Sequence, residues 1–214
     1  MLATKLLGAS STASVGYIAS AKAQTTSTST TITIDKPTGT VENHLMLAIV
    51  CTDSGTVTWT HPSGWTEVLD QGAQPSLSIA YKVAGASEGA NYTFTSSANR
   101  RLGGAILTFS SAAYDAVGTI STTTTGGVQT APAITLSSNN SAIVACFFRS
   151  VPSTTWSSPS AGLVSAETDS DITQPSFAIY YQTDLSSGST GTRVATPSNS
   201  TGIFACVLLG LKPP

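Results

Sequence analysis

The sequence predicts an all-β fold: a duplicated β-sandwich of jelly-roll type, with antiparallel sheets and very little helix. Short β-prone runs recur along the whole chain, turn-forming residues separate them, and one long stretch occurs twice. The stretch over 45–65 returns over 142–163, each time as an apolar run, a polar turn, a Thr-Trp pair, a Pro-Ser pair and a Gly. We therefore expect each copy to form its own sheet.

The duplication continues beyond this stretch. The Gln-Pro-Ser of 74–76 returns at 174–176, and the small-residue apolar segment 103–111 is matched by 202–211. The predicted divisions are an N-terminal arm or first strand (1–31), a first β repeat (32–111), a bridge (112–133) and a second β repeat (134–214). The sequence leaves open whether the repeats form one sandwich or two.

Two interpretations apply to the N-terminal region. Lys5 and the Ala-Lys-Ala of 21–23 imitate a secretory signal with a small-residue cleavage site. However, Gly, Ser and Thr interrupt the apolar part between them, as at Gly8 and Gly16. We therefore favour an arm that docks on another surface, because chain ends of this composition fray unless they are held.

Strand patterns begin at residue 25, where polar and β-branched residues alternate. The following β-prone runs are 45–50, 56–59, 66–69, 77–83, 92–95 and 105–109. Gly, Pro, Asn, Asp or Ser separates these runs, and this spacing is typical of sandwiches and jelly rolls. The only helical expectation is a single turn within 110–117.

Three strands are apolar at consecutive positions instead of alternating: 45–50, 142–148 and 203–211. A strand of this kind must be covered on both faces. The cover comes from the other repeat, from the N-terminal arm or from a neighbouring subunit. These runs are too short to span a membrane, which needs about 20 apolar residues in a helix, so we expect no membrane partner.

Charge and cysteine content narrow the function further. The formal net charge is −2, with nine Lys and Arg residues, so the chain has no excess of positive charge to attract a phosphate backbone. We therefore expect no nucleic-acid partner. Cys51, Cys146 and Cys206 lie in apolar runs without Cys-x-x-Cys spacing, so we expect three reduced, buried thiols and no zinc. The alternative is that Cys146 and Cys206 face each other on paired strands.

The Trp turns are the candidate ligand site. Trp59, Trp65 and Trp156 lie beside Pro-containing turns, where exposed rings can stack on sugars. The other interpretation is that each ring closes the end of its sandwich. We favour this structural interpretation, because Leu163 replaces Trp65 in the second copy and keeps apolar bulk without a stacking face. The strand tyrosines are expected in the core or at an interface: Tyr81, Tyr180 and Tyr181.

No catalytic site is predicted. Residues 85–89 match the G-x-S-x-G pattern, but they join two strands, whereas a nucleophile elbow lies between a strand and a helix. Neither His44 nor His61 has a histidine at the matching position of the other repeat. We therefore expect a protein that is not an enzyme and has no cofactor.

An acidic segment contains Glu167, Asp169 and Asp171 at alternate positions. A calcium loop would need a different spacing of acidic residues and Gly. We therefore expect no metal site, and we interpret the segment as a solvated acidic edge that discourages strand addition.

Several motifs together resemble a known group of proteins. They are LLGAS near the start, P-S-G-W at 62–65, Y-K-V-A-G-A-S-E at 81–88, Y-T-F at 92–94 and GGAILTF at 103–109. In this order they are similar to a widespread group of uncharacterised proteins encoded by tailed phages, and to some bacterial surface proteins. The resemblance implies a virion structural component and transfers no catalytic residue.

The resulting hypothesis is a non-enzymatic phage virion protein: a capsid decoration or cement protein that stabilises or coats the particle. Its expected partners are other virion subunits, such as the major capsid protein or tail proteins, and further copies of itself. The expected location is the virion, assembled in the host cytoplasm. The alternative is a receptor-binding or carbohydrate-binding β module of a tail fibre or baseplate, which recognises a cell-surface glycan; a secreted or cell-surface location is the corresponding alternative.

Overall fold

The computed structural model describes residues 13–53, 55–170 and 175–214. Every regular element in these ranges is a β-strand, which confirms the all-β prediction. The first repeat contains β1 (Gly16–Gln24), β2 (Ser29–Asp35), β3 (Leu45–Thr52), β4 (Trp59–Thr60), β5 (Thr66–Gln71), β6 (Leu77–Val83), β7 (Asn91–Arg100) and β8 (Leu102–Ser110). The second contains β9 (Ala113–Val117), β10 (Ser121–Thr123), β11 (Gln129–Ala131), β12 (Thr135–Leu136), β13 (Ser141–Arg149), β14 (Trp156–Ser157), β15 (Val164–Asp169), β16 (Ser176–Leu185), β17 (Gly188–Ser189), β18 (Arg193–Pro197) and β19 (Phe204–Lys212).

Each repeat forms one large sheet and a smaller cover. Inner sheet 1 has the order β1-β8-β3-β6-β5, and outer sheet 1 has the order β2-β7-β4. Inner sheet 2 has the order β10-β19-β13-β16-β15, with β9 also paired to β19. The second repeat's cover consists of β11-β18-β14 and the pair β12-β17, together called outer sheets 2. The two inner sheets therefore have the same strand order, as the duplication predicts.

The two inner sheets pack face to face. Their facing side chains form one cluster, the central core, to which β3 contributes Leu45, Leu47 and Ile49, and β13 contributes Val144 and Phe148. The large central side chains of this cluster are fully buried. The repeats thus share a core and form one unit, which answers the question that the sequence left open.

The intervening residues of the same strands face outward and are covered as well. Met46, Ala48 and Val50 of β3 lie in outer core 1, between inner sheet 1 and outer sheet 1. Ile143 and Phe147 of β13 lie in outer core 2, beneath outer sheets 2. The strands are apolar on both faces because the other repeat covers one face and the strand's own outer sheet covers the other. The molecule is a four-layer β structure.

The predicted arm and bridge both contribute strands. β1 pairs with β8 along its whole length, and the amide of buried Val15 donates to the carbonyl of Asn140 at 3.0 Å. In the predicted bridge, β9 and β10 both pair with β19, and β11 pairs with β18. β9 and β10 therefore take the place beside β19 that β1 takes beside β8. The N-terminal part of the arm, 1–12, lies outside the described residues.

The expected helical turn within 110–117 is wrong. Residues Ala113–Val117 form β9, because the backbone of β19 offers an unpaired edge to which this segment bonds.

Two tyrosine pairs mark the pseudo-twofold relation between the repeats. Tyr17 of β1 stacks on Tyr181 of β16 with ring centroids 4.1 Å apart. Tyr114 of β9 stacks on Tyr81 of β6 at 5.2 Å. Each pair joins a strand that flanks β8 or β19 (β1 or β9) to the opposite repeat's second-to-last strand (β16 or β6). The two inner sheets therefore contact each other in the same way at both places.

The three cysteines are buried and free. Cys146 faces the central core, whereas Cys206 lies in outer core 2. The alternative in which these two face each other is therefore wrong: their strands are paired, but the register places the thiols on opposite faces. Burial raises the pKa of Cys206 to about 12 and that of Cys51 well above its ordinary value, so neither is an activated nucleophile.

Candidate functional site

The rings of the predicted stacking residues pack against neighbouring side chains, with Trp59 buried and Trp65 and Trp156 partly buried. Trp59 is 6% exposed and lies in outer core 1. Trp65 meets Phe94 edge-on at a centroid distance of 5.5 Å, and Trp156 contacts Phe147 at 5.7 Å. Sugar stacking needs an exposed ring face. This placement favours the structural interpretation of the Trp turns.

The P-S-G-W turn positions Trp65. The amide of Trp65 donates to the carbonyl of Pro62 at 3.3 Å, and Gly64 has a φ of 85°. A turn of this kind needs a left-handed residue at its third position, which Gly adopts without strain. In the second repeat Leu163 donates to Ser160 at 3.1 Å, with Gly162 at 86°.

The Y-K-V-A-G-A-S-E segment forms a closed network around Glu88. This carboxylate accepts hydrogen bonds from Lys82 Nζ at 2.7 Å, the Tyr92 hydroxyl at 2.6 Å and the Gly85 amide at 2.7 Å. Desolvation by burial raises the pKa of Glu88, but the three hydrogen bonds outweigh it and lower the pKa to about 2. Desolvation and the bond to Glu88 both raise the pKa of Tyr92.

Three of the motifs that carried the resemblance meet at this place: P-S-G-W, Y-K-V-A-G-A-S-E and Y-T-F. Trp65 lies edge-on to Tyr92 at 5.2 Å, and Lys82 Nζ lies 5.5 Å from the centroid of the Tyr92 ring. We call Trp65, Lys82, Glu88 and Tyr92 the motif corner. The hydrogen bonds of the Glu88 carboxylate fix the connection between β6 and β7, so the role of the motif corner is structural. The sequence grouped these residues but did not indicate the ion pair.

The G-x-S-x-G match lies in the same connection. Ser87 is exposed between two strands, so the strand-to-helix setting of a nucleophile elbow is not formed.

His61 contacts an acid and a serine, but not in the geometry of a catalytic triad. Its Nε2 lies 3.0 Å from Glu67 Oε2 and 3.0 Å from Ser78 Oγ. A triad needs the serine and the acid on different ring nitrogens. The Ser78 hydroxyl is also buried and donates to the Leu69 carbonyl at 2.9 Å. His44 is separate and accepts from the Val41 amide at 3.4 Å.

The acidic segment fastens β1 to β15. Glu167 accepts from Ser20 Oγ at 2.8 Å, and Lys22 Nζ donates to the Thr168 carbonyl at 2.6 Å. Asp169 lies 3.9 Å from Lys22 Nζ and is only 7% exposed. The interpretation as a solvated acidic edge is therefore wrong for Asp169, which the packing of the two inner sheets buries. Asp171 lies outside the described residues.

Sequence reasoning also missed Arg149, a buried cation at the end of β13. Its Nε donates to the Thr201 carbonyl at 2.7 Å, Nη1 donates to the Pro152 carbonyl at 3.3 Å, and its guanidinium lies over the Phe204 ring at 5.6 Å. Desolvation lowers its pKa. The only signal in the sequence was a charged residue at the end of an apolar run. Arg149 holds two loops together at this end of the sandwich.

Two shallow grooves lie at the ends of the sandwich. One of about 580 Å³ is lined by His44, Val83 and Pro214, among others, and one of about 400 Å³ by Gln74 and Thr123. In the described ranges no group of three or more His, Cys, Asp or Glu residues could hold a metal ion. The same ranges contain no helix long and apolar enough to cross a membrane.

Comparisons with known proteins returned no match among protein-family models, curated proteins or solved structures.

Proposed function

We propose that the protein is a non-enzymatic structural component of a phage particle, a decoration protein that attaches to the capsid. The motif order that resembles phage-encoded proteins supports this, as does the low charge of the chain. A further support is the structural role of polar side chains that could otherwise do chemistry. Glu88, Arg149 and Ser78 each hydrogen-bond to a backbone group and hold it in place.

The observation that carries the proposal is a difference between two sheet edges. Inner sheet 2 ends at β15, whose outward carbonyls Ala166 and Thr168 accept side-chain bonds from β1. Inner sheet 1 ends at β5. The second-repeat equivalent of β1, which would bind this edge, is broken into β9 and β10. Among the described residues, no side chain donates to the matching carbonyls of Val68 and Asp70.

The edge at β5 is therefore the attachment surface in this proposal. A sheet edge with free main-chain groups pairs with an extended segment of another subunit. The opposite edge is unsuitable, because Ser20 and Lys22 already occupy it. The burial of Trp59 and the packing of the partly buried Trp65 and Trp156 against core phenylalanines argue against the carbohydrate-binding alternative.

The test compares two substitutions at one position. Asp70→Pro removes a main-chain N–H from the edge, whereas Asp70→Ala keeps it, and both remove the same carboxylate. Binding to capsids that lack the protein is measured by co-sedimentation, after circular dichroism has shown that both variants fold. We expect the Ala variant to bind and the Pro variant to lose binding. Equal binding of the two variants, or no binding of the unmodified protein, would reject attachment through β5.

A further inference from the structure

Outer sheet 1 carries a regular pattern on its solvent face. Each of its three strands contains or borders a Thr-x-Thr sequence: 31–33 in β2, 93–95 in β7 and 58–60 at β4. The middle residue of each is buried in outer core 1, and the two flanking threonines are exposed. Alternation along a strand thus turns six threonine side chains toward solvent.

The strand register aligns these residues in rows. Thr60 is opposite Thr95, and Thr95 is opposite Thr31, so one row crosses all three strands. Thr33 and Thr93 form a second row, with their hydroxyl oxygens 2.8 Å apart.

A third row also has two residues and lies on the other side of the first row. Ser97 donates its amide to the Thr58 carbonyl at 2.9 Å, which places these two side by side. We call the six threonines and Ser97 the threonine face. Its spacings follow from sheet geometry: about 4.8 Å between neighbouring residues of one row, which lie on adjacent strands, and about 6.7 Å between rows, which are two residues apart along a strand.

The threonine face is preorganised. Ile32, Trp59 and Phe94 hold its three strands from below, and each is at most 6% exposed. Thr has few side-chain rotamers in a strand, because its Cβ is branched. Little conformational entropy is therefore lost when such a surface binds a ligand.

A ligand that matches the whole threonine face would be neutral and periodic in two directions. None of the seven residues is charged, although the same solvent face continues at its border with the exposed pair Asp35 and Asn91. It presents threonine methyl groups, next to which water is ordered, and hydroxyl groups, to which water hydrogen-bonds. The two spacings lie close to the repeats of water molecules on a prism face of hexagonal ice. We propose that the threonine face binds ice.

The second repeat does not reproduce this surface. β11 has a single exposed threonine, Thr130, and its neighbour β18 begins with Arg193. The face is therefore a property of the first repeat, and the proposal does not depend on a role in the virion.

The test measures how the whole protein partitions into slowly growing ice, together with thermal hysteresis. Thr95→Tyr places a bulky ring at the centre of the face, and Thr130→Tyr makes the same change on the second repeat. We expect the unmodified protein and the Thr130 variant to be enriched in ice, and the Thr95 variant to be excluded.

A second substitution, Thr60→Lys, tests the same row if the Tyr variant does not fold, and it should also abolish enrichment. The proposal is overturned if the unmodified protein is excluded from ice like a non-binding reference protein, or if either face variant remains enriched. Exclusion from ice together with sedimentation on insoluble chitin or cellulose would likewise overturn it, and would assign the face to a polysaccharide.

Discussion

Glu88 has the most completely satisfied side chain of the motif corner. Lys82, Tyr92 and the Gly85 amide surround it, and its side chain is only 7% exposed. A buried carboxylate is stable only when its partners replace the lost hydration. The repeated apolar strands set the architecture, but this network fixes the connection between two of them.

Replacing Glu88 with Gln tests the network. The substitution keeps the size of the side chain but removes its charge and weakens the bond to Lys82. We therefore expect the free energy of unfolding to fall by about 2 kcal/mol. The measurement is urea unfolding at neutral pH. Glu42→Gln, at an exposed position, is the control and should change little. An equal effect of both substitutions would contradict a structural role for the corner.

The same carboxylate predicts a pH dependence. Its pKa is about 2 in the folded protein, against 4.5 for an ordinary glutamate. A lowered carboxyl pKa adds stability above the unfolded-state value, and that contribution is lost as the pH falls through about 4.5 towards 2. Stability measured across this range should fall more steeply for the unmodified protein than for Glu88→Gln. Parallel curves would show that Glu88 is not the titrating group.

At the scale of elements, the paired turns before β5 and β15 depend on glycine. Gly64 and Gly162 have φ values of 85° and 86°, which other residues adopt at a cost. A Cβ at Gly162 would also lie 2.6 Å from Gln182 Nε2, whereas at Gly64 the nearest atom is Lys82 Cε at 3.4 Å.

Alanine at either turn should therefore destabilise the protein by about 1 kcal/mol, with the larger loss at Gly162. The thermal midpoint measures it. Gly89→Ala serves as the control, because that glycine does not have a positive φ and an added Cβ makes only ordinary contacts. A control that loses as much stability as the turn variants would remove the conformational explanation.

Sequence reasoning located the strongly apolar strands and their duplication, because these signals are local. It did not find β10 and β11, which are short and polar, so that only their neighbours β19 and β18 identify them as strands. It could not decide on which face of the sheet Cys146 and Cys206 lie, because a shift of one residue in strand register moves a side chain to the opposite face. Asp169 was misread for a related reason: its burial comes from the other repeat.

On the scale of the whole molecule, the central core joins the repeats. Phe109 of the first repeat and Phe148 of the second belong to the same buried cluster. Neither inner sheet can keep its central face covered without the other. We therefore expect the protein to unfold as one cooperative unit.

Truncation of this core should affect both repeats together. Phe148→Ala removes a fully packed ring and should cost about 3 to 5 kcal/mol. Because the cluster is shared, hydrogen exchange should accelerate in the inner strands of the first repeat as well as the second. Acceleration confined to residues 112–214 would contradict a shared core.

The most direct test of the four-layer arrangement uses the natural distribution of tryptophan. Trp59 and Trp65 report on the first repeat, and Trp156 reports on the second. Urea unfolding is followed by fluorescence in Trp156→Phe, and separately in the double variant Trp59→Phe/Trp65→Phe, with circular dichroism recorded on each sample. The account predicts that, within each variant, the fluorescence and dichroism transitions coincide in midpoint and slope. If fluorescence from one repeat changes at a urea concentration where the dichroism shows the other still folded, the repeats are separate units and the shared core is wrong.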